Sequence, residues 1–422
     1  MAENPSNQGV YFLSLSVENV RCFAEKQTLD LSDGNGRPAQ WTVILGDNGV
    51  GKSTLLDTFN INQHFRFLDR SLISIKNKAA SAVLRFGGSE GLYSIPSQKE
   101  YCFKPFLKGQ QVKQIFQDQK LYEELFDSSL VFYYSASRRL TKKYEFDFGD
   151  GDVELPVDDP DDLINAEEWL LQTDYIAKTP SEIQESYKNR LTVIKDTLIA
   201  LLPDVTDIRI STPSEKSPNP RVEFKLPDGW LLLSQLSLGY QTMTAWMVDL
   251  AAQLFKHYPN SPNPIAEPAV VLIDEIDLHL HPKWQRTIMA YLSERFVNTQ
   301  FIVTAHSPLI VQAAENANIV VLKREGDSVK IHQHPQDVKG WRIDQLLTSD
   351  LFDIPSARSP HYENLLTQRR QILSQPHLSS ADQERLNELE AQIGDLPTAE
   401  TRQDMEAMDI IRRAAELLKQ SA

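Results

Sequence analysis

Residues 41–54 read WTVILGDNGVGKST, and this stretch decides the fold. Trp41–Leu45 is a short apolar run of the kind that forms a buried strand. Gly46-Asp47-Asn48-Gly49-Val50-Gly51-Lys52-Ser53-Thr54 then matches G-x-x-x-x-G-K-S/T. Ser53–Phe67 continues with helical spacing at Leu55, Leu56, Phe59 and Phe65. Strand, glycine-rich turn and helix in this order make a phosphate-binding loop. The glycines Gly46, Gly49 and Gly51 let successive N–H groups turn toward phosphate oxygens, and the helix N-terminus adds a favourable field. Lys52 is expected to reach the β- and γ-phosphates of ATP, and the Ser53 hydroxyl to bind Mg²⁺. Asn48 and Thr54 complete the loop.

Three further stretches carry chemistry. Val270–Glu275 (VVLIDE) is a buried strand ending in two carboxylates. Asp274 is expected to hold the metal, directly or through water, and Glu275 to orient and deprotonate the attacking water. Phe301–Ser307 (FIVTAHS) is another strand with His306 just past its C-terminal end, where open α/β sheets place ligands. His306 is expected to contact the γ-phosphate. Leu236–Gln241 (LSLGYQ) opens an apolar helix, and Ser237 and Gly239 at its N-terminus can bind phosphate through hydroxyl, N–H groups and dipole.

Around these motifs the pattern is α/β. Strands are expected at Val10–Val20, Thr28–Leu31, Leu130–Tyr134, Val205–Ile210, Arg221–Leu226, Trp230–Leu233, Ala269–Ile273, Gln300–Thr304 and Ile319–Leu322. Helices are expected within 165–202 and at about 238–257, 282–296 and 308–315. Apolar strands alternating with helices argue for a parallel sheet covered on both faces. From 340 onward the chain is polar and mostly helical.

Composition limits the function classes. The 422 residues exceed the usual single domain, and 41% hydrophobic content suffices for a packed core. No run of ~18 apolar residues and no signal-like N-terminus occurs, so a cytoplasmic protein off the membrane is expected. Cys22 and Cys102 are too few for a disulfide framework. The net charge of −15 is concentrated: eleven carboxylates and no Lys or Arg lie between Glu145 and Glu168. That segment reads as a solvated insertion. Two basic clusters, Arg66/Arg70/Lys76/Lys78/Arg85 and Arg138/Arg139/Lys142/Lys143, read as solvated faces, with DNA backbone contact the alternative. His279-Leu280-His281 lacks the further ligands of a metal site.

Taken in order, these motifs resemble the ABC-type ATPases, in particular their soluble RecF/SMC-like branch, which includes ATPases of bacterial anti-phage systems. Val17–Phe23 (VENVRCF), Asp274–Gln285 (DEIDLHLHPKWQ) and Thr304–Val311 (TAHSPLIV) favour that branch over transporter cassettes. The resemblance implies an α/β, ABC-type P-loop NTPase fold with a mixed sheet, a helical insertion and a C-terminal helical extension. It places the ATPase domain at 1–340, with the helical and acidic insertion at about 140–203, and the extension at 341–422. It also implies ATP sandwiched in a homodimer or higher homo-oligomer. Lys52, Ser53, Asp274 and Glu275 then act in cis, and Ser237 and Gly239 in trans. Asp277 falls in the segment crossing that interface, and Arg21 falls against phosphate or ribose. The chain departs from the family at LSLGYQ, where the family reads LSGGQ. It also carries YYSASRR (Tyr133–Arg139) where a glutamine loop would lie.

The resemblance points to the ATPase subunit of a Septu-type defence system working with a separate HNH-type nuclease. The region after 340 lacks the Glu and Asp-x-Asp signature of a fused TOPRIM nuclease. A DNA-repair or chromosome-maintenance ATPase that binds DNA directly is the alternative, with a transporter cassette behind it. Leu365, Leu366, Ile372, Leu386, Leu389, Ile393, Met405, Met408, Ile411 and Leu417 give the extension an apolar spacing suited either to packing on its own ATPase core or to docking an effector or a second dimer.

Overall fold

The computed structural model describes residues 9–60, 81–89, 97–103, 130–141, 161–212, 215, 218–333, 338, 340–354, 356–375 and 379–393. They fall in two compact units, Met1–Phe352 and Asp353–Ala422.

The first unit is built on a six-stranded sheet. Its order is Ser328–Gln333, Asn318–Glu325, Trp41–Gly46, Thr299–Thr304, Ala269–Ile273 and Val131–Tyr134. The last five run parallel, and Ser328–Gln333 closes the edge antiparallel to Asn318–Glu325. Every residue of Ala269–Ile273 and Thr299–Thr304 is buried, as a parallel sheet covered on both faces requires. Alternation along the strands sorts the core. Ile44, Leu272 and Ile302 face Leu55, Leu56 and Phe59 of the helix Lys52–Asn60 and Phe12 and Leu15 of a second, antiparallel sheet. Val43, Val271, Ile273 and Val303 face the other way, into a larger core filled by the helix Leu238–His257.

Register makes the site. Ile273 lies opposite both Val303 and Tyr134, and Val303 lies opposite Val43. The loops that begin at 47, 135, 274 and 305 therefore leave the same edge.

The helices Ala166–Lys178 and Gln184–Leu201 pack beside Leu238–His257. The ends of the segment preceding them are clasped together. Arg139–Leu140 pairs in parallel with Asp162–Leu163, and the Ser135 and Ser137 hydroxyls each donate to the Asp161 carboxylate at 2.6 Å. The acidic residues 145–160, Lys142, Lys143 and the cluster at 66–78 lie outside the described residues. The helix after the phosphate loop is described to Asn60 only.

Some elements differ from the sequence expectation, among them the strands Ser81–Ser89 and Ser97–Phe103. The helix expected at 282–296 is two, Pro282–Gln285 and Ile288–Arg295. Between them the Thr287 hydroxyl bonds back to the carbonyls of Lys283 and Trp284, which competes with continued helix. The edge strand Ser328–Gln333 was not expected; it forms a hairpin through Gly326, whose φ of +61° suits a tight turn. Residues 341–352, placed in the extension by sequence, fall in the first unit, with Leu346 and Leu351 in the larger core.

The second unit holds the helices Pro360–Leu373 and Ser380–Ile393. They are joined by Arg369–Glu390 at 3.1 Å and by the Arg385 guanidinium donating to Gln368 at 3.0 Å. Leu365, Leu386 and Leu389 are buried, while Met405, Met408, Ile411 and Leu417 lie outside the described residues.

Candidate nucleotide site

The phosphate loop closes tightly on its surroundings. At Gly46, φ is +144° and a Cβ would come within 2.7 Å of the Leu322 carbonyl. At Gly51, φ is +108° and a Cβ would meet Cys22 Sγ at 2.5 Å. Asn48 and Gly49 are exposed at the tip. Lys52, only 6% exposed, begins the helix and donates to the carbonyls of Gly46 and Asp47 at 2.8 and 2.9 Å. Burial pushes its ammonium below the usual lysine range, while Asp274, Glu275, Asp47 and Asp277 pull it back. Arg21 donates to the Thr54 hydroxyl at 3.3 Å and lies 3.7 Å from Asp57.

Across the loop stands Asp274. Its two carboxylate oxygens accept from two hydroxyls, Ser53 at 2.6 Å and Thr304 at 2.5 Å. Ser53 and Asp274 offer the hard oxygen donors that suit Mg²⁺, which takes one or two protein groups and completes its shell with phosphate and water. The cradle of loop N–H groups and Lys52 beside them suits the phosphates of ATP. Among the described residues no three His, Cys, Asp or Glu converge as a metal cage. His281 instead caps a helix, accepting from the Lys283 N–H at 3.2 Å.

Glu275 takes φ of +51°, and its N–H donates to Thr304 Oγ1 at 2.7 Å. Its carboxylate is about one third exposed and lies 4.0 Å from His306 Nε2. The His306 N–H donates to the Asp277 carboxylate at 3.2 and 3.3 Å. One edge of the sheet thus gathers Lys52, Ser53, Thr54, Arg21, Asp274, Glu275 and His306.

Ser237 and Gly239 make no hydrogen bond to that group among the described residues. Ser237 is the exposed N-cap of Leu238–His257 and makes no side-chain capping bond, and Leu238 beside it is 52% exposed. Gly239 lies against the segment after Glu275: a Cβ there would meet the His279 carbonyl at 2.7 Å.

Sequence reasoning missed two residues of the site. Thr304, the polar end of an apolar strand, joins Asp274 and Glu275 through one hydroxyl. Arg138, read as part of a solvated basic face, turns inward instead. Its guanidinium donates to the carbonyls of Ser135 at 2.8 Å, Asp274 at 2.7 Å and Glu275 at 3.0 Å. The available signal was its place just past the strand Val131–Tyr134.

Phosphate loop, paired carboxylates and histidine meet on one edge of the sheet, an arrangement suited to the phosphates of a nucleotide. Residues 14–61 match the family described as "AAA domain", and residues 209–312 the one described as "AAA domain, putative AbiEii toxin, Type IV TA system". The chain is 31% identical over 237 residues to "Retron Ec83 probable ATPase" of Escherichia coli, covering 51% of this chain and 42% of that protein. It is 25% identical over 374 residues to the Septu protein PtuA of Bacillus mycoides, covering 86% of this chain and 47% of the relative. PtuA of Bacillus thuringiensis aligns at 24% over 341 residues, covering 79% and 83%. The chain spans less than half the length of the retron and B. mycoides relatives. The chain is thus similar to probable ATPases of retron systems and to the Septu protein PtuA.

Proposed function

We propose that this chain hydrolyses ATP as an ABC-type switch, closing in pairs around the nucleotide and gating a separate effector, an HNH-type nuclease, in anti-phage defence. The observation that carries the catalytic reading is the 2.6 Å bond from Ser53 to Asp274, made across 221 residues beside the buried Lys52. Lys52 neutralises charge on the β- and γ-phosphates. Ser53 and Asp274 hold Mg²⁺, which supplies charge neutralisation and orients the phosphates when bound. Glu275 accepts the proton of the attacking water, and His306 contacts the γ-phosphate beside it. Arg21 and Thr54 line the nucleotide side of the loop.

Ser237 and Gly239 serve the site of a second copy, a role supported by the exposure of Ser237 and Leu238. The similarity to Septu and retron ATPases supports the defence setting, and the helical unit beyond Asp353 is the element proposed to dock the effector.

Glu275→Gln tests the reading. The variant is expected to bind ATP, lose hydrolysis and accumulate an ATP-dependent dimer by light scattering. Ser237→Arg is expected to bind ATP without dimerising. Mixing it with Lys52→Ala is expected to restore one working site per heterodimer. Hydrolysis at the parental rate by Glu275→Gln, or full activity in Ser237→Arg, overturns the corresponding role.

A further inference from the structure

Glu275 sits in a backbone conformation that its own side chain opposes. A φ of +51° lies in the left-handed region, where the Cβ of an L-residue crowds the backbone. Such a residue persists only where its surroundings over-determine it. Here both flanking peptides are pinned. Ahead of it, the Asp274 carbonyl accepts from Arg138 Nη1 at 2.7 Å and the Glu275 N–H donates to Thr304 Oγ1 at 2.7 Å. Behind it, the Glu275 carbonyl accepts from Arg138 Nη2 at 3.0 Å and from the Leu278 N–H at 3.1 Å. One guanidinium therefore spans the two carbonyls that bracket the strained residue.

The fork is itself anchored, since Nη1 also donates to the Ser135 carbonyl at 2.8 Å. Burial lowers the pKa of Arg138, and the charges of Asp274, Glu275 and Asp277 raise it again. Arginine nonetheless keeps its charge in proteins. A planar fork suits two divergent carbonyls better than the point charge of lysine does.

We propose that Arg138 is a positioning residue for hydrolysis, aiming the Glu275 carboxylate by clamping the Asp274 and Glu275 carbonyls. The inference rests on the reading of Glu275 as general base. Arg138 contacts backbone rather than reacting atoms, so its effect passes through geometry. A base acts only within hydrogen-bond reach of the proton it takes, and a displacement of ~1 Å can cost ~10²-fold in rate. Thr304 shares the task, but its hydroxyl also holds the Asp274 carboxylate, so Arg138 is the cleaner probe.

The test is kcat and ATP dissociation constant for Arg138→Met, Arg138→Lys and the double variant Arg138→Met/Glu275→Gln. Arg138→Met is expected to lower kcat ~10–100-fold, the usual effect of removing an outer partner of a functional group. Its ATP affinity is expected to stay within about twofold of the parent, a difference below ~0.5 kcal/mol. Arg138→Lys is expected to recover part of the rate. In the Glu275→Gln background the Met substitution is expected to remove no further activity, because both act through one carboxylate.

Parental kcat in Arg138→Met, a rate loss matched by lost ATP affinity, or full additivity in the double variant overturns the inference. If Arg138→Met does not fold, Arg138→Lys carries the test: reduced kcat at unchanged affinity supports it, and parental kcat overturns it. Failure of the underlying reading is separate, because Glu275→Gln alone would then hydrolyse ATP at the parental rate.

Discussion

Asp249, within the helix Leu238–His257, and Asp274, just past the strand Ala269–Ile273, are each 4% exposed. Their partners differ in kind. Asp249 accepts from the Tyr134 hydroxyl at 2.8 Å, the Gln253 amide at 2.7 Å and the Ile164 N–H at 3.2 Å. Burial pushes its carboxyl above the usual carboxylate range, and these three donors pull it back. Tyr134 and Ile164 are buried and Gln253 is half-buried on the same helix. Asp274 is held by two hydroxyls, and that of Ser53 belongs to an exposed residue at the start of a helix. A hydroxyl can rotate and serve a cation or water instead. Tyr134 touches both arrangements: its ring hydroxyl serves Asp249 while its carbonyl accepts from the Asp274 N–H at 2.8 Å. Burial alone therefore does not mark a functional carboxylate; partners that can let go do.

The contrast can be broken most directly at Asp274. Asp274→Asn is expected to reduce ATP hydrolysis ~10²–10³-fold, about 3–4 kcal/mol of transition-state stabilisation, with thermal stability little changed. A variant that unfolds readily but keeps its rate per folded molecule would place Asp274 with Asp249.

Asp249→Ala carries the opposite expectation. It leaves the buried Tyr134 and Ile164 donors and the half-buried Gln253 amide without their acceptor, a loss on the order of 3 kcal/mol in urea unfolding. The rate per folded molecule stays at the parental value. Loss of turnover at unchanged stability would erase the distinction.

Thr304→Val sharpens the comparison with the smallest effect. It keeps the side-chain shape while removing the hydroxyl shared by Asp274 and the Glu275 N–H. Turnover is expected to fall about tenfold, ~1.4 kcal/mol, with ~1 kcal/mol lost in stability. If the loss appears only in the unfolding midpoint, Thr304 is a strut rather than part of the site.

What was legible in the sequence was what is local. The run Trp41–Leu45 with its glycine pattern, the helix Leu238–His257 and the strand Ala269–Ile273 each carry their own periodicity, and the structure has them at or within a residue of the expected bounds. Ser53 and Asp274 were each recognisable in their motif. Their meeting depends on strand register, which no single motif encodes. Arg138 was illegible for a different reason. Its partners at Asp274 and Glu275 are backbone carbonyls 136 and 137 residues away, and a carbonyl leaves no trace in residue type. The break at Thr287 and the edge strand Ser328–Gln333 were missed because a side-chain bond and a two-residue turn outweighed the coarse apolar pattern.

Because Ser135, Ser137 and Arg139 are tied to Asp161 and Asp162, the chain leaves the sheet edge and returns to it through one doorway. When the ends of a loop already meet, lengthening its contents costs little, only ~0.6 kcal/mol for each doubling. The doorway fixes where residues 135–140 and 161–163 stand, so the two ends are set by their own pairing. Arg138 stands at that threshold, one residue before the Arg139–Leu140 pairing, and ties it to the carbonyls of Asp274 and Glu275.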